Sequence, residues 1–144
     1  MSNLVKDIKA VPIVMDPATH DYCAAAISHV PHLVSAALAK LVKDADTGDY
    51  KDYMHLLAAG GFKDTTRIAA SSPEMWEQIC AANPTAISQL LGEYINSLLQ
   101  SKNILIPATA TTFTNYLKKR AFTGIHFSDR TVPDGSHRIG SKSA

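Results

Sequence analysis

Prolines that follow capping residues divide this sequence into helical segments, and this pattern constrains the fold more than any other feature. Asp16-Pro17, Ser72-Pro73 and Asn83-Pro84 each combine a residue that favours the N-cap with proline at the first helical position. Between these signals, apolar residues recur every three or four positions, most clearly over 18–43 and 85–101. The sequence therefore predicts an all-α fold.

Pro31 lies inside the first long helical segment. Because proline removes one backbone hydrogen bond, we expect this helix to be kinked or split near His29. Shorter helices are predicted over 50–59, ended by Gly60-Gly61, and over 65–70. Pro107 should end the helix that begins at Pro84, and a last helix should reach about residue 122.

The 144 residues are enough for one domain with one core. We expect an extended lead-in over 1–15, a helical domain over 16–122 and a basic tail over 123–144. From position 118 onward the sequence has only two acidic residues, Asp129 and Asp134. The basic residues in the same segment are Lys118, Lys119, Arg120, Arg130, Arg138 and Lys142. Such a tail is either a solvated segment or an arm that docks on a partner subunit or covers an anionic site.

Composition excludes several classes of protein. A net charge of +1 argues against a nucleic-acid binder. No uninterrupted apolar run approaches the length of a membrane span, and charges at the N-terminus interrupt any signal-peptide pattern. Cys23 and Cys80 lie far apart in apolar stretches, which predicts buried free thiols in a reducing cytoplasm. Neither GxGxxG nor GxxxxGK[ST] occurs, so we do not expect the chain to hold a dinucleotide by itself.

Histidines are clustered near the N-terminus. Of the six in the chain, His20, His29 and His32 fall within thirteen residues. His29 and His32 are three apart and share a helical face, whereas His20 lies on a different face. A metal site would need these two histidines and a further ligand such as His20 or Asp21. The alternative is one capping or core histidine and one exposed histidine.

A second group of candidate residues follows Gly60-Gly61, where a glycine turn would let the backbone approach another group closely. Arg67 lies three residues after Asp64, so the two can share one helical face. The pair is either a structural salt bridge or a positioned guanidinium that grips a substrate carboxylate in a bidentate way. Trp76, the only tryptophan, is by default a core anchor.

Taken in order, these motifs resemble the C-terminal helical domain of prephenate dehydrogenase. The matching segments are HD at 20–21, SHVPH at 28–32, AGGFKDTTRIA at 59–69 and SPEMW at 72–76. Val30, Lys63 and Ser72 stand where that family usually has Leu, Arg and Asp. The resemblance covers about residues 10–100 and does not extend to the tail.

The resemblance implies a helical bundle that forms an intertwined homodimer and lines a substrate cleft. It implies that Arg67 grips a substrate carboxylate and that His32 binds substrate. The other residues that it places in or beside the cleft are Gly60, Gly61 and Trp76, which line it, and His20, Asp21, His29 and Asp64, which support it.

Family members convert prephenate to 4-hydroxyphenylpyruvate with NAD or NADP on the route to tyrosine. Their general base lies in an N-terminal Rossmann-type domain, so we assign no catalytic residue to this chain. We expect a cytoplasmic substrate-binding and dimerisation domain without its nucleotide domain, either cut from a longer protein or encoded separately. One alternative is a stand-alone helical dimer that binds an aromatic acid and regulates a partner. Another is a metal-dependent hydrolase that uses His29 and His32.

Overall fold

The computed structural model describes residues 8, 10, 13–106 and 110–120, and every regular element in this part of the chain is helical. In chain order the α-helices are α1 (Pro17–Ala24), α2 (Val30–Ala45), α3 (Tyr53–Leu57), α4 (Gly60–Thr66), α5 (Pro73–Ala82), α6 (Pro84–Leu105) and α7 (Ala110–Arg120). A π-helical turn covers Ala25–His29, and 3-10 turns cover Gly48–Tyr50 and Arg67–Ala70. The predicted all-α fold is confirmed for these residues.

The helix that contains Pro31 is disturbed where the sequence predicts, but it does not break. The π-helical turn Ala25–His29 ends just before α2, which carries Pro31 in its first turn. Proline lacks a backbone N–H, and its ring crowds the carbonyl four residues earlier, here that of Ile27. The extra residue of the π turn accommodates this conflict within a continuous helical stretch over 17–45.

This continuous stretch is longer than any uninterrupted apolar run in the sequence. At 29 residues it is long enough and apolar enough to cross a membrane by length and composition, a criterion that core helices of soluble proteins also meet. Polar residues such as His29 and His32 interrupt its apolar residues. Only 22% of its most apolar window is buried, so much apolar surface on this helix is exposed.

The connection between α2 and α4 differs from the prediction. The expected helix over 50–59 is reduced to α3, which begins after Asp52 in a left-handed conformation with φ 69°. Gly60 and Gly61 open α4 instead of ending the preceding helix, and the chain turns at Ala59, whose backbone is extended. The predicted glycine turn is therefore wrong, because the reversal is made before the glycines.

The helices that surround α2 form the compact unit Pro17–Ser97. Within it, α2 packs against α4 and against the 3-10 turn Arg67–Ala70. The buried apolar side chains among the described residues are Ala25, Val30 and Ile87, and the buried polar ones are His32 and Ser35. This core is small for so many apolar helices, and α2 contributes both of its buried polar groups.

The capping signals predict the start of α5 and α6 correctly. The hydroxyl of Ser72 accepts a hydrogen bond from the backbone N–H of Met75 at 3.3 Å, and α5 begins at Pro73. The same hydroxyl donates to Glu74 at 2.6 Å, and this bond lowers the pKa of that carboxyl. The next helix, α6, begins at Pro84.

The second compact unit includes the end of α6 and α7. The hydroxyls of Ser101 and Tyr116 are hydrogen-bonded there, and the rings of Phe113 and Tyr116 stack at 6.2 Å. Residues 13–15 of the predicted lead-in have no regular secondary structure. The predicted break at Pro107 and the predicted tail over 123–144 lie outside the described residues.

Both cysteines are free, as predicted, but neither is buried. Cys23 is exposed because it lies on α1, which buries none of its residues. Cys80, on α5, is half-buried. The expectation of two buried thiols is therefore wrong, since an apolar sequence neighbourhood did not place either helix face in a core.

Candidate functional site

The candidate site is built around His32 in the first turn of α2. The π turn and Pro31 precede this residue. His32 therefore lies where the backbone hydrogen bonds change from the π-helical to the α-helical pattern. Its side chain is only 6% exposed. Burial lowers the pKa of His32 below its ordinary value of 6.5, because a charged imidazolium loses more hydration than a neutral ring. At neutral pH the ring is therefore uncharged.

Trp76 holds the imidazole of His32 in place. The two rings are parallel, with an interplanar angle of 5° and centroids 3.5 Å apart. His29 meets the same indole edge-on, at 6.1 Å and 84°. Trp76 lies in the first half of α5, whose start is fixed by the Ser72 cap. The local capping signal thus positions the indole that packs against α2.

Polar atoms at this cluster are buried without hydrogen-bond partners in the described part of the chain. They are Nδ1 of His29, Nδ1 of His32, Nε1 of Trp76 and the hydroxyl of Ser35. Native proteins satisfy nearly all buried polar groups, so an unsatisfied cluster indicates that water, a ligand or another polypeptide completes it. An indole N–H can donate to such a group, and an unprotonated imidazole nitrogen can accept from it.

Arg67 has no ring contact with this cluster, although its segment packs against the helix that carries His32. It is the first residue of the 3-10 turn that packs against α2, and its side chain is exposed. Within the described residues its side chain forms no hydrogen bond, ion pair or ring contact. Of the two alternatives for this pair, the structural Asp64–Arg67 salt bridge is not formed in the described part of the chain, and Asp64 is also exposed. The guanidinium is therefore free to bind an anion.

The two glycines of the motif lie in the first turn of α4 and are exposed. A Cβ added at either position would meet nothing within 4 Å. Within this helix, the hydroxyls of Thr65 and Thr66 donate to the carbonyls of Gly61 and Phe62 at 2.8 and 2.7 Å. The packing of this chain does not by itself require glycine at 60 or 61.

The predicted supporting pair His20-Asp21 lies apart from the ring cluster. Nδ1 of His20 is 3.1 Å from the carboxylate of Asp21, and both side chains are exposed. The amide of Asn83 donates to the backbone carbonyl of Asp21 at 2.7 Å, which ties α1 to the start of α6. No hydrogen bond or ring contact in the described part of the chain joins this pair to His32.

Two features of the site were missed by sequence reasoning. Ser35 is 1% exposed and lies one turn beyond His32 on α2; a polar residue on an otherwise apolar helix face is the signal that would have found it. The hydrogen bond from Asn83 to Asp21 joins residues that are 62 positions apart, so no local sequence pattern predicts it.

Metal binding finds no support in this geometry. Among the described residues, no group of three His, Cys, Asp or Glu side chains is placed to hold a metal ion. His29 and His32 instead direct their rings at Trp76.

Known proteins resemble the chain over most of its length. The family model "Prephenate dehydrogenase, dimerization domain" matches residues 16–119. Prephenate dehydrogenase of Bacillus subtilis is 33% identical over 118 residues, which is 82% of this chain and 31% of that protein. Cyclohexadienyl dehydrogenase of Zymomonas mobilis is 33% identical over 84 residues, which is 58% of this chain and 28% of that protein. The chain thus spans less than a third of the length of these curated relatives.

Solved structures give the same result. Arogenate dehydrogenase of Synechocystis superposes with a TM-score of 0.74 at 27% identity, covering 81% of this chain and 42% of that one. Prephenate dehydrogenase of Aquifex aeolicus, in complex with hydroxyphenyl propionate and NAD+, superposes with a TM-score of 0.70 at 31% identity and covers 82% and 42%. With the family match over residues 16–119, this chain belongs to the prephenate dehydrogenase dimerization-domain family.

Proposed function

We propose that this chain is the substrate-binding and dimerisation part of a prephenate dehydrogenase, which oxidatively decarboxylates prephenate to 4-hydroxyphenylpyruvate with NAD or NADP in tyrosine biosynthesis. The observation that carries the proposal is the ring cluster of His29, His32 and Trp76, which holds three buried ring nitrogens without partners. The segment that begins with the free Arg67 packs against the helix that carries His32.

Each of these side chains has a distinct task in the proposed site. Arg67 remains charged at any working pH and can hold a carboxylate through two parallel hydrogen bonds. His32 is neutral, so it can form a hydrogen bond to the ligand without adding charge. Trp76 fixes the plane of that imidazole by stacking on it. Gly60 and Gly61 leave open space beside α4 into which a ligand can fit.

The described residues do not fit a dinucleotide cofactor. The sequence has no glycine-rich nucleotide motif, and the described elements are helices without the strand–turn–helix unit that binds a pyrophosphate. We infer that NAD or NADP and the general base belong to a separate Rossmann-type domain. The chain alone should show no NAD(P)-dependent turnover of prephenate; steady NADH formation by the purified chain would refute this inference.

We also infer a homodimer through the apolar stripe of α6. Ile87 at its start is buried, but Ile95, Leu98 and Leu99 remain about half exposed, at 49%, 51% and 49%. Burying such side chains contributes roughly 25 cal/mol per Å² of apolar surface. The name of the matching family model agrees with this assembly.

The dimer is tested by light scattering at micromolar concentration. The chain should have the mass of a dimer, and Ile95→Glu should yield monomer because a charge enters the apolar stripe. Asn96→Glu adds the same charge at an exposed polar position on the same helix and should leave the dimer intact. A monomeric parent chain would overturn the inference.

We also propose that the protein is cytoplasmic. The relatives from Bacillus subtilis and Lactococcus lactis are bacterial prephenate dehydrogenases. Cys23 is exposed and unpaired, a state that a reducing compartment preserves.

Calorimetry with hydroxyphenyl propionate tests the proposed binding site. The chain should bind this stable carboxylate, and Arg67→Ala should weaken binding by about tenfold or more, the loss of a charge-assisted contact. Lys63→Ala removes another exposed cation from the neighbouring helix α4 and should leave the affinity unchanged. Equal losses in the two variants would mean that only net charge matters.

The competing hypothesis of a regulatory aromatic-acid binder is tested with the same variants. Prephenate, 4-hydroxyphenylpyruvate and tyrosine are titrated in turn into the parent chain and into Arg67→Ala. Binding of tyrosine through Arg67 without binding of prephenate would favour the regulator, and the reverse pattern supports the dehydrogenase.

A further inference from the structure

A cleft lies beside α2, on the same helix face as His32 but two to four turns farther along. It is open to solvent on one side, and its volume is about 520 Å³. It is bounded by α2, α3, α4 and the 3-10 turn that follows. None of the residues that line it belongs to the ring cluster, so the cleft is distinct from the proposed substrate site.

One wall of this cleft is apolar. Met54, Ala58 and Phe62 line it, together with small side chains from α2 and from the 3-10 turn. The ring of His55 on α3 also lines the cleft and is its one imidazole. Thr66 also contributes, but its hydroxyl donates to the carbonyl of Phe62 at 2.7 Å, so its hydrogen-bonding capacity is already engaged. This wall suits an apolar or aromatic side chain of a ligand.

The other wall carries two opposite charges that do not pair with each other. Lys43 and Asp46 both line the cleft from the last turn of α2 and its C-cap. Neither forms an ion pair in the described part of the chain, although Lys40 and Asp44 on the same helix pair at 2.5 Å. Oδ1 of Asp46 is buried and has no hydrogen-bond partner there. An unpaired carboxylate oxygen in such a position favours a cationic donor nearby.

These charges decide what kind of molecule fits. An apolar helix laid over the cleft would leave Lys43 and Asp46 desolvated and unpaired, which is costly. A simple carboxylate would satisfy Lys43 but would repel Asp46, and a simple amine would do the opposite. A ligand that carries both an ammonium and a carboxylate beside an apolar group satisfies both walls.

We propose that the cleft between α2, α3 and α4 binds a free α-amino acid with a large apolar or aromatic side chain, with its carboxylate at Lys43, its ammonium at Asp46 and its side chain against Phe62 and Met54. The proposal is independent of the proposed function, because it uses neither Arg67 nor the ring cluster.

The test is a calorimetric titration of the 144-residue chain with L-phenylalanine, 3-phenylpropionate and phenethylamine. The first probe carries both charges and each of the others carries only one. Phenylalanine should bind saturably and at least about tenfold more tightly than either of the others. Equal affinity for phenylpropionate would overturn the proposal, as would the absence of saturable phenylalanine binding up to about 10 mM.

Variants locate the binding. Asp46→Asn and Lys43→Met keep the shape of each side chain and should each weaken phenylalanine binding by about tenfold or more. Lys40→Met removes a cation of the same helix that does not line the cleft, and it should have no effect. Circular dichroism verifies that each variant is folded. Loss of phenylalanine binding in Arg67→Ala, with normal binding by Asp46→Asn, would overturn the proposal and assign the ligand to the other site.

Discussion

Replacing Gly61 by alanine should have opposite effects on stability and on binding. Gly61 lies in the first turn of α4 with a negative φ, since the only glycine with positive φ in the described part of the chain is Gly48. A Cβ at Gly61 would meet nothing within 4 Å. Alanine loses less backbone entropy on folding, so Gly61→Ala should stabilise the chain by ~0.4–1 kcal/mol. For a chain of this size the melting temperature should rise by about 1–4 °C.

Binding should change in the other direction if open space beside α4 admits the ligand. A methyl group at Gly61 would occupy part of that space, and we expect hydroxyphenyl propionate to bind about tenfold more weakly, or about 1.4 kcal/mol. Thermal unfolding followed by circular dichroism gives the first quantity, and calorimetric titration gives the second.

Gly92 provides the matched control. It lies within α6, and a Cβ there would also meet nothing within 4 Å. Gly92→Ala should raise the melting temperature and leave binding unchanged. A drop in the melting temperature of Gly61→Ala alone would mean that the fold itself needs this glycine. Unchanged binding by Gly61→Ala would remove the glycine pair from the ligand site.

Three further predictions concern the ring cluster and its supports. Trp76→Ala should destabilise the chain by about 2 kcal/mol, a moderate loss because the indole is only half-buried. The same change should raise the pKa of His32 towards 6.5, because the imidazole becomes more exposed to water, and an NMR titration of the imidazole measures this pKa. Because the pKa of His32 is lowered in the folded state, the unfolded chain binds its proton more readily, so this contribution to stability is complete above about pH 6.5 and is lost as the pH falls. His32→Gln should reduce that loss in urea unfolding at pH 7.5 and 5.5, whereas an unchanged pH dependence would assign it to other groups. Ser72→Ala should cost about 1 kcal/mol because the N–H of Met75 loses its acceptor, and Ser72→Asp should restore most of it; equal stability of all three chains would mean that the cap contributes nothing.

Capping residues predicted where helices begin more reliably than glycines predicted where they end. Ser72-Pro73 and Asn83-Pro84 start helices as expected, because a side-chain acceptor or a missing N–H acts within one turn of the chain. Gly60-Gly61 was predicted to end a helix and opens one instead. The reversal depends on the left-handed backbone of Asp52 and the extended backbone of Ala59, and neither residue type signals it.

The site could be predicted only in part for the same reason. The spacing of His29 and His32 placed them on one helical face, and both do contact one ring. That this ring is Trp76, 44 residues after His32, depends on how α5 packs against α2, and no local pattern encodes such packing. The resemblance named Trp76 as a cleft residue but did not predict the parallel stack. The spacing of Asp64 and Arg67 likewise allowed either a salt bridge or a free guanidinium, and the fold leaves the guanidinium free.

The most direct test of the proposed substrate site uses the fact that the chain has a single tryptophan. The indole N–H of Trp76 gives one NMR resonance, and its Nε1 is buried without a partner in the described part of the chain. Titration with hydroxyphenyl propionate should shift this resonance together with those of the His32 ring, saturably, and Arg67→Ala should greatly weaken the effect. Binding that leaves both rings unshifted, or no binding at all, would contradict the proposal that this domain holds the substrate at His32, Trp76 and Arg67.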